Sequence, residues 1–119
     1  MGLFSSLFSK SISTVDPNKA QELIKNGALL IDVREPQEWK QGHAPSARHI
    51  PLGQLQTKLN TLPKDRQVLT ICAVGGRASR AAASLKRAGF EAINVKGGMR
   101  AWQSAGLPVV GRGKGGRVA

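Results

Sequence analysis

The sequence predicts an α/β domain in three layers, a central parallel sheet with helices on both faces. Three observations predict it. The apolar runs "ALLIDV" (28–33), "QVLTI" (67–71) and "AINV" (92–95) are short and nearly continuous rather than alternating, as in strands buried on both sides. Amphipathic helical patterns separate these runs, which requires crossover connections and parallel pairing. A chain of 119 residues is the size of one domain with its own core.

In chain order, a head (residues 1–13) carries Leu3, Phe4, Leu7 and Phe8 at helical spacing among serines. It suits a frayed or surface-docked amphipathic segment, and "MGLFSS" also fits the N-myristoylation pattern through Gly2. The head is too short and polar for a secretory signal. The compact centre spans 14–110. In "VDPNKAQELIKNG", Asp16 is the N-cap, Pro17 the first helical residue and Gly27 the stop. Strand 28–33 follows, then a helical turn in "EPQEWKQG", a "GHAPSA" turn and a brief strand near "ARHI". Leu52, Leu55, Leu59 and Leu62 recur at spacings of three and four, predicting one amphipathic helix. Strand 67–71 leads to the helix "RASRAAASLKRAG", ended by Gly89; strand 92–95 leads to the helical "GGMRAWQSAG". The tail 111–119, "GRGKGGRVA", is basic and rich in glycine, a composition that fixes no conformation.

Composition excludes several functions. One cysteine, Cys72, forbids an internal disulfide framework and a cysteine-rich zinc site; the expected compartment is the reducing cytoplasm. The histidines, His43 and His49, lack the company that metal ligation needs. No apolar stretch approaches the ~20 residues of a membrane span. The net charge of +11 raises encounter rates with anions of any kind. Lys10, Arg112, Lys114 and Arg117, in the terminal segments, supply part of it. Two Trp, three Phe and no Tyr leave the basic surface without the aromatic interleaving of a nucleic-acid site.

Cys72 stands where strand 67–71 ends. In open parallel sheets, ligands bind beyond the carboxyl ends of strands, where loops meet helix N-termini. The next residues, Ala73, Val74, Gly75 and Gly76, are small, and Arg77 starts the helix. Such a loop can curl its amides inward, cradling an anion and stabilising a thiolate. Cys72 is therefore the candidate nucleophile and residues 73–77 the candidate binding loop. Glycine at 75 and 76 is expected because a side chain there would obstruct the curl.

Four segments, "LLIDVREPQEW", "GHAPSARHIPL", "CAVGGRA" and "VKGGMRAW", in this order and spacing over residues 14–110, resemble the single-domain rhodaneses, domains of the thiosulfate sulfurtransferase type. The resemblance implies the same α/β fold in its rhodanese-like form. Its loop has four residues between Cys72 and Arg77, whereas related phosphatase and arsenate-reductase loops have five, room for a tetrahedral oxyanion. The implied chemistry is sulfur transfer through a Cys72 persulfide: a donor such as thiosulfate loads the cysteine, and cyanide, a thiol or an acceptor protein unloads it. It needs no metal and no organic cofactor. Expected partners are small sulfur-containing anions and a thiol or sulfur-acceptor protein; the sequence is silent on oligomeric state. A sulfur-relay carrier, a non-catalytic binding domain and a relative of the phosphatases or arsenate reductases with the five-residue loop are the alternatives.

Supporting roles follow the same motifs. Arg77 either orients an anionic donor or pairs with a carboxylate such as Asp32 or Glu35. Asp32 is expected to brace the loop through a salt bridge or backbone amides, and Arg34 and Glu35 either do likewise or stand exposed. Ser79 is a candidate cap of the following helix, and Arg80 belongs to its exposed positive rim. His43 is expected to fix its turn by hydrogen bonds, Trp39 and Trp102 to be core aromatics, and Gly97 and Gly98 to let the chain pass close to the loop.

Overall fold

The computed structural model describes residues 12–111. Most of the expected N-terminal segment, with its myristoylation pattern, and the basic tail beyond Gly111 lie outside these residues. Five strands form one sheet: β1 (Ser13–Val15), β2 (Leu29–Asp32), β3 (Arg48–His49), β4 (Val68–Ile71) and β5 (Ala92–Val95). Their order across the sheet is β1-β5-β4-β2-β3, and every pair is parallel. All strand carboxyl ends therefore lie along one edge. The central strand β4 pairs on both sides, Leu30 with Leu69 on one and Leu69 with Ile93 on the other.

Helices cover both faces, as expected. The helices are α1 (Pro17–Lys25), α2 (Pro36–Lys40), α3 (Leu55–Lys58) and α4 (Gly76–Arg87), which lie between strands, and α5 (Gly98–Ser104), which follows the last one. Strand residues alternate between two cores, as the two-residue pleat requires. Ile31, Val68 and Cys72 share one core with Leu55 of α3 and with Ala78, Ala81, Ala82 and Leu85 of α4. Leu30, Leu69, Ile71, Ile93 and Val95 share the other with Ala20 of α1 and with Met99 and Trp102 of α5. Alanines on the inner stripe of α4 let that helix lie close to the sheet, with the loop before it held against the strand end.

Helix α1 has the predicted cap: the Asp16 carboxylate accepts from the Lys19 amide at 2.8 Å, and Pro17 opens the helix. Two elements differ from what the sequence predicts. The single helix expected over Leu52–Leu62 is instead a 3-10 turn at Leu52–Gln54, the one-turn α3, and a second 3-10 turn at Leu59–Thr61. Thr57 and Thr61 donate their hydroxyls to the carbonyls of Gln54 and Lys58 at 2.9 and 2.7 Å; such local bonds compete with a regular helix. The four leucines still pack on the core, with Leu55 and Leu62 buried. The second difference is β1, an edge strand formed by "STV" that begins inside the segment assigned to the head. Its pattern is short and mostly exposed, and its pairing with β5 holds it.

Among the described residues no helix is long and apolar enough to cross a membrane.

Candidate active site

Cys72 directly follows β4, so the central strand carries it to the carboxyl edge of the sheet. The residue is 1% exposed. Its Sγ accepts from the backbone amides of Gly75 at 3.0 Å and Ala78 at 3.3 Å. Two N–H dipoles directed at one sulfur, the second from the first turn of the twelve-residue α4, suit a negative sulfur. The curl that brings them there needs Gly75, which caps α4 at φ +123°, a conformation side chains resist. Gly76 differs from expectation. A Cβ there would meet nothing within 4 Å, so sterics do not require glycine at that position. Ala73 is half-buried, and Val74 stands 59% exposed at the loop's tip.

The cradle is held from two directions. On the α4 side, Thr70 of β4 donates its hydroxyl to the Ala78 carbonyl at 2.8 Å. Ser79 contributes through its backbone, its amide donating to the Gly75 carbonyl at 3.0 Å. On the other side, the start of α5 clamps the loop: the Met99 amide donates to the Cys72 carbonyl at 2.7 Å and the Arg100 amide to that of Ala73 at 3.1 Å. This contact is possible because Gly98 has no side chain. A Cβ there would stand 2.6 Å from both the carbonyl carbon and oxygen of Ala73 and closer still to the Cys72 oxygen, and Gly98 has φ +59°. Gly98→Ala is expected to cost about 2–4 kcal/mol, from overpacking against backbone and a disfavoured φ. Thermal unfolding measured beside a Gly53→Ala control, where a Cβ meets open space, checks it; equal Tm values would refute the clamp.

Arg77 pairs with a carboxylate, but with neither of the expected ones. Its Nη1 and Nη2 donate to Oε1 and Oε2 of Glu38 at 2.7 and 2.9 Å, a two-pronged fork. Asp32 and Glu35, the predicted partners, are not used. Glu38 suits the part because its Oε1 also accepts the Glu35 amide at 2.9 Å, which fixes the carboxylate at the start of α2. The Arg77 hydrogen bond holds the Glu38 pKa below its ordinary 4.5, against partial burial. Reciprocally, the hydrogen bond that Arg77 donates to Glu38 raises the pKa of Arg77. The folded-state pKa of Glu38 is depressed, so the pair's contribution is complete above about pH 4.5 and fades as pH falls through the lowered value. A carboxyl-carbon NMR titration of Glu38 is expected to have its midpoint below 4.5; a midpoint at or above it would contradict the fork.

Asp32 and Arg34 form a second ion pair, wholly buried at 0% exposure each. Arg34 donates through Nε and Nη2 to the Asp32 carboxylate at 2.8–3.1 Å and through Nη2 to the Gly42 carbonyl at 2.7 Å. His49 Nε2 lies 2.7 Å from the Arg34 carbonyl. These bonds tie the end of β2 to the 42–49 segment and not to residues 73–77, and neither residue is exposed. Glu35 is exposed and caps α2. His43 fixes its turn, Nδ1 lying 2.9 Å from the Trp39 carbonyl. Trp102 is a core aromatic at 0% exposure. Trp39 is not: it is half-buried and stacked on both His43 and His49, with ring centroids 3.4 and 4.6 Å away. Arg80 is exposed.

Three participants are not among the residues the sequence singles out: Glu38, the Ala78 amide and Thr70. Glu38 carries a signal, since it stands three residues after Glu35 as a capping partner. The other two act through a backbone amide and a strand hydroxyl, which no spacing marks.

With this geometry in view, the sequence profile of the Rhodanese-like domain matches residues 16–105. A putative sulfurtransferase of Bacillus subtilis, YtwF, is 42% identical over 79 residues, covering 66% of this chain and 77% of that protein. The thiosulfate sulfurtransferase GlpE of Ectopseudomonas mendocina is 33% identical over 91 residues, 76% of this chain and 84% of that one. A rhodanese-related protein from Thermoplasma volcanium superposes with a TM-score of 0.78 at 32% identity, over 83% of this chain and 98% of that one.

Proposed function

Because the chain belongs to the rhodanese-like domain family, we propose that it is a sulfurtransferase that moves a sulfane sulfur through a persulfide on Cys72. The observation that carries this reading is the Cys72 Sγ seated on the amides of Gly75 and Ala78 inside a loop of four residues. The seat suits a sulfur that gains negative charge, and the short loop leaves less room for a tetrahedral phosphate than a five-residue one.

With thiosulfate as donor, the Cys72 thiolate attacks the outer sulfur. The S–S bond of the donor breaks, its electron pair leaves on sulfite, and Cys72–S–S⁻ remains. An acceptor nucleophile such as cyanide then takes the outer sulfur and returns the thiolate. The loop amides stabilise the persulfide charge, and Gly75 and Gly98 keep the cradle in shape before reaction. The proposed setting is the cytoplasm, in keeping with the single thiol.

The test is direct. The protein is incubated with thiosulfate and its intact mass measured, then cyanide is added and thiocyanate assayed. A gain of one sulfur atom, released as thiocyanate, is expected; no adduct with thiosulfate or any organic persulfide would refute the reading.

Arg77 is proposed as a positioning residue, because both its terminal nitrogens are engaged by Glu38. Arg77→Ala should therefore lower kcat/KM by a similar factor for thiosulfate and for an uncharged persulfide. The expected loss is about five-fold, the equivalent of ~1 kcal/mol for a partly exposed pair. A loss confined to thiosulfate would assign Arg77 to substrate instead.

A further inference from the structure

An open groove of about 600 Å³ adjoins the Cys72 loop, lined by Val74, Gly97, Arg100, Ala101, Ser104 and Ala105. Val74 supplies the wall on the loop side, two residues beyond Cys72. The other wall is α5, whose Met99 and Arg100 amides donate to the Cys72 and Ala73 carbonyls, so this wall is bonded directly to the loop. The lining is aliphatic except for Ser104 and Arg100. Arg100 is exposed and makes no ion pair among the described residues. Arg77, the cation at the far end of the loop, is held by Glu38.

Size and charge together select an occupant. Thiosulfate has five non-hydrogen atoms and needs roughly 150 Å³ at ~30 Å³ per water-sized group, a fraction of this groove. The volume falls in the range of small-molecule sites, which pair apolar walls with a few placed polar groups. An unpaired guanidinium beside an aliphatic floor complements a carboxylate on a carbon skeleton.

We infer that this groove binds the carbon skeleton of a carboxylate-bearing organic thiol or persulfide, with Arg100 as the specificity-determining residue. The inference rests on the sulfur-transfer reading for its chemistry. The Cys72 thiolate attacks the outer sulfur of R–S–SH, the donor S–S bond breaks, and the electron pair leaves on R–S⁻. The product is Cys72–S–SH, and no oxidant or reductant is consumed. In the reverse direction the same groove seats a thiol acceptor.

The test compares glutathione persulfide with thiosulfate. Arg100→Gln is expected to lower kcat/KM for the organic donor at least about ten-fold relative to thiosulfate, mainly through KM, with partial rescue in Arg100→Lys. Ser104→Trp, which fills the groove and keeps Arg100, should shift the same ratio in the same direction. Equal losses for both donors would overturn the inference, because Arg100 would then act as a general positive field. Binding is read separately by ¹⁵N NMR with S-methylglutathione, an unreactive thioether. Shifts at Val74, Arg100 and Ser104 support the groove; shifts scattered over other basic residues, or none, overturn it. If no donor loads Cys72 while the thioether still shifts these amides, the sulfur-transfer reading fails and the groove stands.

Discussion

Cys72→Ser is expected to abolish the sulfur adduct and lower thiocyanate formation on the order of 10³-fold or more, the scale of losing a covalent nucleophile. Serine is nearly isosteric, and its hydroxyl still accepts from the Gly75 and Ala78 amides that now serve the sulfur. The fold should survive, so the loss isolates chemistry from stability. Intact mass after thiosulfate, with thermal unfolding measured on the same sample, checks both. A variant that still gains sulfur would sink the assignment of Cys72, since no other cysteine is present.

Asp32→Ala is expected to destabilise the fold more than any of the other single changes, by about 3–5 kcal/mol. Arg34 is fully buried and draws on Asp32 for both Nε and Nη2, while its Nη1 has no protein partner. Removing the carboxylate leaves a buried cation with one remaining carbonyl, that of Gly42. At roughly 4–8 °C per kcal/mol for a domain of about this size, Tm should fall by more than about 12 °C. The paired replacement Asp32→Leu with Arg34→Met should cost less than Asp32→Ala alone, because it removes both charges. Denaturant or thermal unfolding of the three proteins decides it. A drop of only a few degrees for Asp32→Ala would mean that water or relaxation compensates the guanidinium.

The sheet is legible in the sequence because its inner strands announce themselves. "LLID" and "VLTI" are almost wholly buried, and short continuous apolar runs between helical patterns are what a strand covered on both faces requires. The edge strand β1 is not legible, since its residues are mostly exposed and it exists through pairing with β5. The 52–62 segment shows the opposite failure: its leucine spacing marks the inward face correctly, while the backbone breaks into short 3-10 and α turns whose threonine hydroxyls bond carbonyls three residues back, which leucine spacing does not reveal. At the site, the cysteine, the glycine curl and the near approach of Gly98 can be read from residue type and order. The partner of Arg77 cannot, because Asp32, Glu35 and Glu38 are equally acidic in sequence. Burial decides among them, sending Asp32 to Arg34 and leaving Glu38 facing the loop.

The clamp from α5 also bears on how such a domain could change trade. A single-residue insertion between Cys72 and Arg77 would give the longer spacing of the phosphatase loops. Here the carbonyls of Cys72 and Ala73 are bonded to the amides of Met99 and Arg100, with Gly98 packed against the same backbone. The inserted residue could enlarge the ring only on its far side, at Val74 to Gly76, or else displace the helix after β5. A longer loop that keeps the bonds of Cys72 and Ala73 to α5 must therefore grow at Val74 to Gly76, whereas growth at Cys72 or Ala73 demands a matching change after β5, in a segment far away along the chain.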